Sequence, residues 1–503
     1  MRASFSAELK EPYSPPFSAY YAPILLLVGM ILRIWLIAHW PIIFGGDTIL
    51  RMANREHVLL SYQLPGLQAV LHYLTKISES PALARYAMAL IGSTAGLGFY
   101  CLASHYIEQE HAFYAGLFFV TNPFLLALST VPYQEILMLA GLFFGFHFFF
   151  TGNLPAASLT LGLACLTRYE AWAACPVLVL AHAVEKRWRL IEVVKALLLY
   201  GWAPLAWIVY RSGFSPSGTF VVDTAFTPWR FMRYVQLGWV TLKNTPLPVV
   251  FLAGMGAVTV WKAQIWKQRR MLLLMAFLLL FLLAILFSAH GERPDPDRQV
   301  TPREAHLLIC GVLLLAGFGL SPFTRWRRVL LVLSLVFGVY GAGRYMARVT
   351  SPANLQLSYE LAQYFDRTLQ KNERAIVLTK PIPQPLIQDY LDKALQTGGA
   401  KGLASAWSVL RSMDTSPPDY QRTLVHSHVG KQRLLSFGSI VNSQLKESEW
   451  PDTRAQWVAV WSDFSPGNAL EKRIYERMVQ GRLPSHIVTS GDLSVSVYHT
   501  GEQ

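Results

Sequence analysis

Residues 22–51, APILLLVGMILRIWLIAHWPIIFGGDTILR, set a long apolar run, Ala22–Trp40, ahead of a glycine pair and an acid, Gly45-Gly46-Asp47. Roughly 17–25 apolar residues match the hydrocarbon thickness of a bilayer, where the backbone satisfies its own hydrogen bonds as helix. The run exceeds the ~7–15 apolar residues of a signal peptide, and no small-residue cleavage site follows, so it reads as a retained first helix. Ten further stretches of this texture follow, at 83–103, 112–129, 136–151, 155–169, 171–184, 193–211, 246–262, 271–288, 304–320 and 329–346. The expected fold is therefore a polytopic α-helical membrane protein of about eleven spans, with 155–184 open to a bent or re-entrant alternative.

Composition agrees. Of 503 residues, 53% are hydrophobic and only 15% charged, whereas a soluble surface needs about a quarter of the chain charged. The net charge of +13 is gathered in short turns: Glu185-Lys186-Arg187-Trp188-Arg189, Lys267-Gln268-Arg269-Arg270 and Arg325-Trp326-Arg327-Arg328. That distribution excludes a nucleic-acid partner and matches cytoplasmic loops under the positive-inside rule. With residues 1–21 as a cytoplasmic lead-in, stiffened by Pro12, Pro15 and Pro16, the three clusters follow helices six, eight and ten on one side. The odd count then puts the C-terminal part outside.

There, over residues 350–503, charges become frequent and apolar runs shrink to strand length: Ala375–Leu378, Thr423–Val425, Trp457–Trp461 and Ser494–Tyr498. Leu470, Ile474 and Met478 recur at helical spacing. A small non-cytoplasmic α/β domain is expected. The four cysteines, Cys101, Cys165, Cys175 and Cys310, lie in apolar segments and read as packing residues.

Ionisable groups beside a span are costly, so their positions are informative. The outer loop 41–82 carries Asp47 just before a helical pattern. Asp47 reads either as an N-cap, whose oxygen satisfies free N–H groups, or as a general base at a membrane-edge cleft. Glu135 opens a span, where the helix dipole favours a carboxylate. Arg168 and Glu170, flanked by Tyr169 and Trp172, either pair with one another or leave Arg168 to face an anion. Arg51 and Arg55 either line an anionic cleft or touch headgroups. Arg303 opens the tenth span with a planar fork suited to phosphate, or snorkels to headgroups, an alternative open to Arg293 and Arg298 as well. Arg33, inside the first span, faces the bundle or snorkels outward. His426 and His428 share the face of an expected strand, and no His, Cys or carboxylate set suggests a metal.

Four pieces of text stand in a telling order: Gly45-Gly46-Asp47-Thr48; Pro132-Tyr133-Gln134-Glu135; Leu166-Thr167-Arg168-Tyr169-Glu170-Ala171-Trp172; and Arg298 with Thr301-Pro302-Arg303. An acid after the first span, a second acid opening a later span and an arginine before a late span resemble the GT-C glycosyltransferases. The text is most similar to the branch of protein mannosyltransferases, aminoarabinose transferases and GPI mannosyltransferases. The layout covers residues 20–345, and the specific text about forty residues.

The resemblance implies inverting transfer of a monosaccharide, mannose among the candidates, from a polyprenyl-phosphate carrier to a hydroxyl of a glycan, lipid or protein acceptor. It implies Asp47 as catalytic acid/base, Glu135 as second acid, and Arg303 as the ligand of the carrier phosphate. Arg168, Glu170, Arg51 and Arg298 are further candidates for the substrate cleft. Membrane lipids are the surrounding partner, and the compact form resembles bacterial inner-membrane members. No cofactor is required by the sequence; some relatives use a divalent metal, which nothing here indicates. Thr48 stands where the family often has another acid, and Leu64-Pro65-Gly66 departs from its usual Pro-Leu text, so the sugar stays open.

Two rival classes fit the same chain. A flippase for lipid-linked sugars predicts paired halves and interrupted mid-membrane helices; a non-catalytic envelope assembly factor predicts that Asp47 and Arg303 are dispensable.

Overall fold

The structure is a computed structural model and describes residues 20–59, 64–214, 228–287, 305–321, 323, 327–370, 372–379, 424–425, 427–429, 434–435, 455–466 and 469–501. Its helices run α1 Tyr21–His39, α2 Gly46–Ala53, α3 Pro65–Ile77, α4 Pro81–Ala103, α5 Gln109–Thr121, α6 Pro123–Leu128, α7 Gln134–Phe150, α8 Leu154–Cys165 and α9 Ala174–Glu185. They continue with α10 Leu190–Phe214, α11 Pro228–Lys243, α12 Leu247–Lys262, α13 Arg269–Phe287, α14 His306–Gly319, α15 Arg327–Thr350, α16 Ala353–Thr368 and α17 Ala469–Met478. Strands β1 Ala375–Leu378, β2 Leu434–Leu435, β3 Trp457–Trp461, β4 His486–Ser490 and β5 Leu493–His499 complete the described elements. The chain divides into two compact units. One is Met1–His39, Arg85–Tyr210 and Thr219–Met346; the other is Trp40–Ala84, Arg211–Gly218 and Ala347–Gln503.

In the first unit the expected apolar stretches lie largely on helix among the described residues, with 166–168 between α8 and the turn that follows it. Residues 21–39, 81–103, 190–210 and 328–350 are each long and apolar enough to cross a membrane. At 1.5 Å rise per residue, such lengths match a hydrocarbon layer of about 30 Å. Shorter apolar helices, α7, α8, α12 and α14, accompany them. On α1 the inward stripe is Leu25, Gly29, Arg33, Leu36 and Ile37, while Leu27, Ile31 and Ile34 stay exposed, as in a helix facing lipid. The protein is an integral membrane protein of polytopic type.

One expected span, 112–129, is not a single helix. It breaks between α5 and α6, because Pro123 cannot donate within a helix and sits instead at its first position. Asn122 caps the new start: its Oδ1 accepts from Phe124 N and Leu125 N at 3.1 Å each. The broken segment is buried and ends at Ser129 and Thr130, where two arginines attach. Arg33 Nε donates to Ser129 Oγ at 2.6 Å, and Nη1 to the carbonyls of Gly29 at 3.0 Å and Val120 at 3.5 Å. Arg85 Nε donates to the Thr130 carbonyl at 2.8 Å. Arg33 thus faces the bundle, fully buried.

Helices α12 and α14 cross backbone to backbone at Gly256 and Gly319, where a Cβ on either residue would run into the facing helix's carbonyls of Leu315 or Leu252. Small residues at such crossings let membrane helices gain packing that lipid cannot compete for.

In the second unit the sheet order is β2-β1-β3-β5-β4. β1 pairs in parallel with β2 and β3, and β5 pairs antiparallel with β3 and β4. Alternation along the strands builds two cores. Ala375, Val377, Trp457, Ala459 and Trp461 pack with Leu357, Leu361 and Phe365 of α16, while Ile376, Leu378, Val458 and Val460 pack with Leu470, Ile474 and Met478 of α17. The expected strands at 375–378 and 457–461 stand as read, and 494–498 lies within β5. The expected strand 423–425 does not form where it is described. Leu424, Val425, Ser427 and His428 are helical, with Val429 N donating to Val425 O at 3.0 Å. Three apolar residues carry no period that separates strand from helix.

Candidate active site

Glu135 enters the bundle in the first turn of α7, after the extended Tyr133 that caps the helix. Arg168 follows α8 with extended backbone (φ −147°, ψ 145°), and the 3-10 turn Tyr169–Ala173 then carries Glu170 into the connection between α8 and α9. Trp172 Nε1 closes that connection on the Cys165 carbonyl at 2.9 Å. Trp207 Nε1 donates to Tyr169 Oη at 3.1 Å.

These elements bring Glu135 and Glu170 onto one guanidinium. Arg168 Nη1 donates to Glu135 Oε1 at 2.6 Å, Nε donates to Glu170 Oε2 at 2.9 Å, and Nη2 donates to Glu170 Oε1. Glu135 is fully buried and Arg168 is 9% exposed. Burial alone would raise the Glu170 carboxyl, but the charge and hydrogen bonds of Arg168, with His306 nearby, outweigh it and hold the group at about 2. Glu170 is therefore a carboxylate at any ordinary pH. Arg168, divided between two acids, is geometrically the paired arginine of the two readings. His306, fully buried at the start of α14, was not singled out from sequence. Its only signal was a polar ring in the first turn of an otherwise apolar helix.

The cluster also has a side. At the far end of α9, Arg269 of one basic turn donates to the Ala181 carbonyl at 3.1 Å and lies 3.8 Å from Glu185 of another. Two basic turns therefore share one end of this unit, and the Glu135–Arg168–Glu170 cluster occupies the opposite end of the same helix.

In the second unit, Gly45 adopts φ +87°, a conformation open to glycine without strain, and α2 begins directly after it. Gly45, not Asp47, is the capping residue. Asp47 lies one residue inside α2, half-buried, where the helix dipole favours its charge. The inward face of α2 is Thr48, Ile49, Arg51, Met52 and Ala53. Gln68 Nε2 fastens α3 to that helix through the carbonyls of Arg51 at 3.2 Å and Asn54 at 2.7 Å. Arg51 is 2% exposed and Arg55 6%, so both lie in the interior of this unit.

Arg298 and Arg303, like Arg293 and His426, lie outside the described residues. Among the described residues no group of three His, Cys, Asp or Glu is arranged to hold a metal.

No protein-family model matches this sequence, and no curated protein does. Solved structures do. The chain aligns with apo ArnT from Cupriavidus metallidurans at TM-score 0.54 and 14% identity, covering 96% of this chain and 99% of that one. The same protein bound to undecaprenyl phosphate aligns at TM-score 0.55 and 13% identity over the same shares. Identity this low speaks for the fold alone. The chain shares the fold of this ArnT.

Proposed function

We propose that this chain is a membrane glycosyltransferase that moves a monosaccharide from a polyprenyl-phosphate carrier to a hydroxyl acceptor on the non-cytoplasmic face. The reading is carried by the buried Glu135–Arg168–Glu170 cluster, set opposite the basic turns, in a fold shared with an ArnT that binds undecaprenyl phosphate. By the positive-inside rule the basic turns face the cytoplasm, which gives the acids and the C-terminal part the other side, in a bacterial inner membrane.

Asp47 is the general base. As the acceptor oxygen attacks the anomeric carbon from the face opposite the phosphate, that carbon's bond to the phosphate oxygen breaks and the acceptor proton passes to Asp47. Configuration inverts. Arg303 holds the departing phosphate through charge-assisted bonds that strengthen as negative charge develops; Arg298 assists it. Arg168 serves by orienting Glu135 and Glu170, which bind the hydroxyls of sugar or acceptor. Mannose and related sugars are the candidates.

The test is donor consumption by purified protein, across a panel of polyprenyl-phosphate sugars with native membranes as acceptor. Asp47→Asn is expected to lower turnover by about 10²–10⁴-fold, and Arg303→Ala to abolish it, with both variants keeping wild-type thermal unfolding. Full turnover by Asp47→Asn, or transport of intact donor across vesicles without hydrolysis, would overturn the reading.

A further inference from the structure

Two consecutive residues of the C-terminal part, Ser427 and His428, touch the Asp47 helix segment beyond both of its ends. Ahead of α2, the Ile43 N–H donates to His428 Nε2 at 3.2 Å. Behind it, Arg55 Nη1 donates to the Ser427 carbonyl at 3.3 Å, while Nη2 donates to the Glu79 carbonyl at 3.1 Å. Ile43 and Ser427 are fully buried. These contacts join residues 385 and 372 positions apart, so no local preference produces them.

The ring of His428 is itself held. Nδ1 lies 2.8 Å from the Leu424 carbonyl and 3.0 Å from Ser427 Oγ, which donates to the same carbonyl at 2.7 Å. Tyr359 of α16 meets the ring edge-on at 5.4 Å. A carbonyl only accepts, so Nδ1 carries the proton; a backbone N–H only donates, so Nε2 keeps its lone pair. The site is thus built for the neutral ring in one tautomer. Between this anchor and Asp47 stand Gly45, at φ +87°, and the exposed Gly46, around which a Cβ would meet nothing. Glycines leave that joint conformationally free. The buried face of α2 and Gln68 hold the helix from one side; an anchor beyond each end limits how far its carboxylate can turn with it.

We propose that His428 is a positioning residue for Asp47: the Ser427–His428 turn clips the α2 segment ahead of and behind the helix and so fixes the general base. The proposal rests on Asp47 serving as base, and it gives the C-terminal part a task that its sequence left open. Protonating Nε2 would set a donor against the Ile43 N–H and open the clip. Among the described residues, the titratable and charged groups placed around the ring include Tyr359 and, through the Ser427 carbonyl, Arg55 with Glu56 and Glu79 beside it.

The experiment uses the full chain in nanodiscs and compares His428→Phe, which keeps a ring without an acceptor, with His428→Gln, whose amide oxygen takes the place of Nε2. Amide exchange over 43–53 and donor turnover are both measured. His428→Phe is expected to speed exchange over 43–53 about tenfold, the worth of one net hydrogen bond. It is also expected to lower kcat about 100-fold, with KM for donor unchanged, as a small misplacement of a reacting group does. Amides of β3 and β5 keep their protection. His428→Gln restores both quantities and, unlike wild type, keeps exchange over 43–53 slow as the medium is acidified. Unchanged exchange in His428→Phe, or a Gln variant no better than Phe, would overturn the clip. A wild type that consumes no donor would sink the transferase reading, while the exchange comparison would still decide the clip.

Discussion

Arg33 and Arg168 are both buried guanidiniums of the first unit, yet they are stabilised in opposite ways. Arg33 is surrounded by neutral acceptors: a serine hydroxyl, a carbonyl of its own helix and a carbonyl of α5. Arg168 is held by two carboxylates, one of them by a two-bonded fork. Neutral acceptors suit a residue whose task is to join helices. Two acids meet one guanidinium in a buried place with the His306 ring nearby, the kind of clustered ionisable set that marks a candidate site. That difference is the ground for assigning Arg33 to packing and for proposing a chemical role for Arg168.

The largest effect that contrast predicts belongs to Arg168. Arg168→Met removes the shared cation and strands Glu135 and Glu170 in the interior, which costs about 3–5 kcal/mol for a broken buried pair. Thermal unfolding in detergent is expected to fall steeply. The triple variant Arg168→Met, Glu135→Gln, Glu170→Gln recovers most of that stability, because no buried charge remains, yet stays inactive. A triple variant as unstable as the single one would show that shape, and not charge, holds the cluster.

Acid provides the next test. The Glu170 carboxyl is lowered from the usual range to about 2 by Arg168, so the unfolded chain takes up its proton first as pH falls. The resulting stabilisation is fully present above about pH 5 and is lost as pH falls toward 2, with a total of about 3 kcal/mol. Unfolding of wild type and Glu170→Gln, followed between pH 6 and 3, is expected to converge as the pH drops. Parallel curves would place the acid-sensitive group elsewhere.

These groups were legible in the sequence to different depths. Span positions were readable because apolar runs of membrane length have few other uses, and β1 and β3 because four or five buried residues stood between charged flanks. Glu135, Arg168 and Glu170 each stood out singly, but their union across 33 residues depends on how α7 packs on α8, which no local pattern encodes. The Asn122-Pro123 break carried its own signal, a capping residue followed by proline, hidden within an apolar run. Helix α11 is amphipathic, its apolar residues interrupted by Arg230, Arg233 and Gln236, so it offered no unbroken run of the kind that marked the spans. Strand β4 buries only Val488, so as an edge strand it shows no alternation. His428 was visible but set on the wrong element, since its partner Ile43 lies nearly the whole chain away.

The smallest effect falls on Arg33, and it tests the comparison from the other side. Arg33→Met has similar length and costs only the Val120 carbonyl a donor, and that at the long distance of 3.5 Å. Ser129 Oγ already donates to the Leu125 and Leu126 carbonyls at 2.8 and 2.9 Å, and the Gly29 carbonyl belongs to the ladder of α1. Gly92, whose Cβ would stand 2.7 Å from Arg33 Nε, keeps the room that the thioether needs. Replacing a buried ion by an apolar side chain of like volume is commonly neutral or stabilising, so unfolding is expected to shift by no more than about 1 kcal/mol in either direction. Turnover of donor should stay within a factor of two or so, because the residue is assigned to packing. A loss as large as that of Arg168→Met would mean that Arg33 also balances a negative charge, and the division between a packing and a chemical arginine would fall.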